Sequence, residues 1–108
     1  MSVTDVTIPT IKAFCNLEPK AQALKPLEEA AEVFGAWQNI DRMSAKFVNV
    51  DEESAETMCA LDRDLMDEIA DCIQACANLA AMVGVSDLTP YMDSCEERNR
   101  ERGRYGDE

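Results

Sequence analysis

The stretch from Cys72 to Val83 constrains this chain more than any other feature. It reads Cys-Ile-Gln-Ala-Cys-Ala-Asn-Leu-Ala-Ala-Met-Val, without a single charge. A helix that is apolar nearly all round is buried in a bundle or against another copy of itself. Leu65, Ile69, Cys72, Cys76, Leu79 and Val83 recur at alternating steps of four and three, so they line one helical face. Gly84 supplies a C-terminal stop, and Asp51 supplies an N-cap with acidic residues in the first turn.

The rest of the chain fits the same all-α class. Leu27, Ala31, Phe34 and then Trp37 or Gln38 mark a helix that ends near Ile40. Pro26 either opens this helix in its first turn or kinks a helix that began near Pro19. Pro9 can start a short helix carrying Ile11, Phe14 and Cys15. A third helix starts at Ser86 or at Thr89-Pro90, turns Leu88, Met92 and Cys95 inward, and stops at Gly103. Residues 41–50 form a connection, in which 46–50 is the only candidate strand. Residues 1–8 and 104–108 read as tails. The expectation is a single helical domain over 1–108, a bundle of three main helices, with Leu65, Ile69, Cys72, Cys76 and Leu79 buried. A chain of 108 residues buries only a modest fraction of its surface. A second copy would complete the core.

Charge narrows the partners. With 22 acidic and 10 basic residues the formal net charge is −12. That repels nucleic acid and anionic membranes, and it suits cations. Histidine is absent, so a metal site must use carboxylates or thiolates. Five cysteines without a tight framework do not make a secreted disulfide scaffold. No signal peptide or membrane span is legible. The setting expected is cytoplasmic.

The acids are patterned. Glu28 and Glu29 stand four and three residues before Glu32, and Glu68 stands three before Asp71, so each set shares a helix face. Each set also borders an apolar segment: Val33 to Trp37 in one case, the uncharged run in the other. Asp64, Glu68, Asp71, Ala75 and Asn78 form a stripe of their own, about 100° from the apolar one. Clustered carboxylates beside a buried wall repel one another, and a divalent cation relieves that repulsion. Oxygen ligands select Mg²⁺, Mn²⁺ or Ca²⁺ over zinc.

Glu28-Glu29-x-x-Glu32, followed on the next long helix by Glu68-x-x-Asp71, resembles the signature of MazG-like all-α nucleoside triphosphate pyrophosphohydrolases. The resemblance runs over roughly residues 24–104. It includes Leu27 before the first cluster and the Asn99 to Gly103 ending. The connection between the two motifs is longer than in compact members of that family. The resemblance implies a homodimer or homotetramer. It implies Mg²⁺-dependent cleavage of a (deoxy)nucleoside triphosphate to monophosphate and pyrophosphate, with Mn²⁺ as a substitute ion. By motif position Glu29, Glu32, Glu68 and Asp71 would be the metal ligands. Glu28 would be a further ligand, or would orient or deprotonate the attacking water.

Other residues are candidates for substrate contacts. Arg98 and Arg102 share a face and could clamp phosphate, or could simply complement the helix dipole. Lys25 precedes the first acidic set and offers another positive charge. Asn78 could touch substrate or be a buried, hydrogen-bonded amide. Trp37 could stack on a base or pack in the core. Cys72 and Cys76 lie on the apolar stripe and read as core. The competing functional reading is a non-enzymatic acidic helical module, or a nucleotide-binding protein without turnover.

Overall fold

The computed structural model describes residues 3–46 and 51–106. Three α-helices are present: α1 Pro19–Lys46, α2 Glu52–Met82 and α3 Thr89–Glu101. The described residues contain no strand, and no helix is long and apolar enough to cross a membrane.

Of the two starts open to α1, the one at Pro19 holds. Pro26 lies inside the helix, so the Gln22 carbonyl loses the N–H that would ordinarily bond it. The helix also runs past Ile40 to Lys46. Most of the expected connection is therefore helical, because Ile40 and Met43 continue the half-buried face. Lys46 ends α1, and the other residues of the candidate strand lie outside the described residues. Asp51 caps α2 as expected: its Oδ1 accepts the Ser54 N–H at 2.7 Å. Gly84, at φ +90°, ends α2 in a conformation that favours glycine. In α3, Pro90 sits in the first turn, and the Thr89 N–H donates to Asp87 Oδ1 at 2.9 Å.

No helix forms at Pro9. Residues 3–16 carry no regular structure, and polar groups of residues 12–15 bond to α2 instead. The Phe14 N–H donates to Asn78 Oδ1 at 2.9 Å, and Gln74 Nε2 donates to the Lys12 carbonyl at 2.8 Å. The Cys15 thiol meets the Asn78 carbonyl at 3.5 Å. Residues 12–15 thus form a strap laid on the second half of α2.

The helices α1 and α2 pair as an antiparallel hairpin. Cys72 meets Pro26, while Asp64 and Asp67 line a cavity with Ala36 and Asn39. The third helix does not join them: no Cα of α3 lies within 8 Å of a Cα of α1 or α2 among the described residues. A single chain is therefore a two-helix hairpin with α3 standing apart, not a closed three-helix bundle. The radius of gyration is 17.4 Å, against about 13 Å for a compact domain of this length. Accessible surface is 8480 Å², against about 6,000 Å² for a folded monomer of this mass.

Burial follows a different stripe from the one expected. Ala75 and Asn78 of α2 are buried, together with Gln22 of α1. Leu65, Ile69, Cys72 and Leu79 are only half-buried, and Cys76 is exposed. Leu88 and Met92, expected inward, are exposed, and Cys95 is half-buried. The reason is rotation. The hairpin closes on the stripe containing Glu68, Asp71, Ala75 and Asn78, and this leaves the neighbouring apolar stripe on its flank.

Hydrogen bonding from Ser54 holds the Asp51 carboxyl below the usual carboxylate range. A lowered folded-state value stabilises the protein above the unfolded-state pKa, and that contribution is lost as pH falls through the folded value. Asp51→Ala should therefore lower the melting temperature at neutral pH by a few degrees, about what loss of an N-cap produces. The difference from the parent should vanish well below about pH 4. Melting curves of both proteins from neutral to acid pH check it.

Candidate metal centre

Glu29 projects from the middle of α1, and Glu68 and Asp71 project from one turn of α2. The hairpin brings these carboxylates together, with one oxygen of each within 4.8 Å of the others. Glu29 and Glu68 are half-buried and Asp71 is exposed. Glu29 Oε2 and Glu68 Oε2 are buried without a hydrogen-bond partner. Buried carboxylate oxygens are costly unless a cation or a donor meets them. An all-oxygen donor set with two unmet acceptors fits a hard divalent ion.

One positive charge already stands at the edge. Lys25 Nζ lies 3.5 Å from Glu29 Oε1 and 3.4 Å from Glu28 Oε2. The bond and charge of Glu28, then the charge of Glu29, raise the Lys25 pKa above its ordinary value. Lys25 thus engages Glu29 Oε1 and leaves Oε2 for another partner. Glu28 is exposed and lies outside the three-carboxylate group.

Two cavities flank the cluster. One, of about 350 Å³, is lined by Glu32, Ala36, Asn39, Asp64, Asp67 and Glu68. Glu32 is therefore beside Glu68, though not among the three clustered carboxylates. The other, of about 270 Å³, lies under the strap and includes Lys25, Glu29, Asp71, Gln74 and Asn78 in its lining. Asn78 lines a cavity as a substrate residue would, but its Oδ1 already accepts from Phe14 N–H and from Gln74 Nε2 at 2.9 Å.

The remaining candidates lie away from this group. Arg98 donates to Ser94 at 2.7 Å on α3, Arg102 caps the end of the same helix, and neither lines either cavity. Trp37 is half-exposed and stacks on Phe34, with ring centroids 5.9 Å apart. Burial, then Cys76 and the Glu29 charge, push the Cys72 thiol above its usual pKa. Cys72 is thus held as a thiol donating weakly to the Pro26 carbonyl at 3.9 Å.

Gln22, Gln74 and the strap were not legible as site residues. A signal for Gln22 existed: it stands two helical turns before Glu29, on the same face. Gln74 and Asn78 are likewise four apart. The strap had no such signal, because its bonds join residues 62 to 64 positions away.

No family model, curated protein or solved structure matches this chain. If it holds a divalent ion, Glu68→Gln should weaken Mg²⁺ binding roughly tenfold or more, as loss of a supporting metal-site residue commonly does. The metal-free variant should melt at the parent temperature or higher, because an unpaired buried charge is gone. Melting with and without Mg²⁺ reads both effects; an undiminished Mg²⁺ shift in the variant contradicts the assignment.

Proposed function

We propose that the chain is a MazG-like, Mg²⁺-dependent nucleotide pyrophosphohydrolase that converts a (deoxy)nucleoside triphosphate to monophosphate and pyrophosphate. The observation that carries this reading is the meeting of Glu29, Glu68 and Asp71 across the hairpin, with two carboxylate oxygens buried and unmet. These are three of the four ligands that the sequence resemblance implies. Glu32, which shares a cavity with Glu68, is the fourth.

Mg²⁺ bound there would neutralise phosphate charge and acidify water. Glu28 is our candidate for accepting the proton of the attacking water, and Lys25 for meeting a phosphate oxygen once Glu29 has turned to the ion. Attack at the α-phosphorus breaks its bond to the bridging oxygen, and pyrophosphate leaves. We place the enzyme in the cytoplasm.

A homodimer or homotetramer belongs to the same proposal. It is supported by the large accessible surface and by the exposure of Leu27, Phe34, Trp37, Met66, Val83 and Tyr91. In such an assembly Arg98 and Arg102 would approach phosphate from another copy. The same outward apolar side chains also favour the second reading, an acidic helical interaction module without turnover.

The two readings part on a panel of triphosphates with Mg²⁺, with pyrophosphate and phosphate detected separately. We expect pyrophosphate and monophosphate. Single phosphate release would rule out the cleavage position, and no turnover on any triphosphate would favour the interaction module. Glu32→Gln and Asp71→Asn should each cost roughly tenfold or more in turnover, with circular dichroism unchanged. Full activity in both would sink the mechanism, since the two residues represent the two helices that build the site.

A further inference from the structure

Cys72 and Cys76 stand one helical turn apart on the same face of α2. The seam turns this face to the flank, so the two thiols are not sealed in a core. Cys72 is half-buried against α1, with its Sγ 3.9 Å from the Pro26 carbonyl, and Cys76 is exposed. A reagent therefore reaches the pair from the Cys76 side. Geometry keeps the thiols from joining each other. Side chains four apart on a helix hold their Cβ atoms about 5–6 Å apart, whereas a disulfide needs about 3.5–4.5 Å. An atom placed between the sulfurs meets no such limit, because two bonds of about 2.3 Å to sulfur can bridge the turn.

Ligand number and charge select what that atom is. Among the described residues, the cluster of three metal-ligating side chains is Glu29, Glu68 and Asp71, and it contains neither cysteine. Zinc takes four ligands and finds only two side chains here. A monovalent ion would leave net negative charge on two thiolates, within reach of the Glu29 charge that already acts on Cys72. A soft centre that is satisfied by two thiolates and gives a neutral product escapes both objections. Trivalent arsenic with one carbon substituent is such a centre. We propose that Cys72 and Cys76 form a dithiol site for monosubstituted trivalent arsenicals and equivalent soft, thiophilic centres. An arsenoxide, R–As=O, reacts with both thiols: two As–S bonds form, the As=O bond breaks, and the two thiol protons leave with the oxygen as water. Arsenic stays trivalent throughout. This site is separate from the carboxylate cluster and does not depend on nucleotide hydrolysis.

The test titrates the reduced full chain with phenylarsine oxide, follows the adduct by intact mass spectrometry, and maps the protected cysteines by alkylation. One adduct per chain should form, with Cys72 and Cys76 protected and the exposed Cys15 and Cys59 still alkylated. Cys76→Ser should weaken binding about a hundredfold or more, because the second thiol acts at high effective concentration once the first is engaged. Cys15→Ser and Cys59→Ser should bind as the parent does. Protection of any other pair, or undiminished binding in Cys76→Ser, overturns the proposal. The protection map of the parent decides without relying on the fold of any variant. Zn²⁺ bound as tightly as the arsenical would overturn the two-ligand assignment.

Discussion

The seam between α1 and α2 is closed by polar and small side chains. Gln22, Ala75 and Asn78 are buried in it, and Glu29 and Glu68 lie half-buried beside them. Ala75 is the only buried hydrophobic residue among those described. A contact of this kind yields little apolar burial, and burial is the main source of folding free energy. It also encloses one oxygen each of Glu29 and Glu68 that no hydrogen bond meets. The hairpin therefore holds acidic side chains along its seam, and much of its apolar surface is directed elsewhere.

Outward placement of the large side chains follows from the same choice of seam. Turning α2 by about a quarter of a revolution would have carried Leu65, Ile69, Cys72 and Leu79 into the seam and Glu68, Ala75 and Asn78 out of it. Instead those side chains sit half-buried on the flank, while Phe34 and Trp37 stack together in the open. The separate position of α3 adds Tyr91 and Met92 to the exposed apolar surface. In physical terms the hairpin combines a seam lined with oxygen atoms and a largely exposed apolar surface.

Helix positions were legible because local rules determine them. Asp51 caps α2, Gly84 ends it, and Pro90 opens α3, each through backbone chemistry close in sequence. The acidic pairs were legible for the same reason, since spacing along a helix fixes a shared face. Helix rotation was not. Periodicity marked an apolar stripe and an acidic stripe on α2, and hydrophobicity argued for burying the first. Tertiary pairing buried Ala75 and Asn78 of the second and half-buried Glu68, while Asp64 and Asp71 stay exposed. The end of α1 was misjudged because the charged residues after Ile40 resemble a connection, yet they lie on the helix's exposed face. The strap escaped altogether, because side-chain amides far along the chain decide its path.

That strap has a consequence for the order in which the molecule forms. The hairpin joins neighbouring helices through a short connection, so its closure entropy is small. The strap bonds Phe14 to Asn78, 64 residues away, and it can do so only after α2 has presented Gln74 and Asn78 on one face. With the hairpin closed, the strap reaches that face over the short tether that joins it to α1. Docking of the strap therefore depends on a face that α2 alone provides. During synthesis it emerges before its binding surface exists, and it waits until α2 has been made.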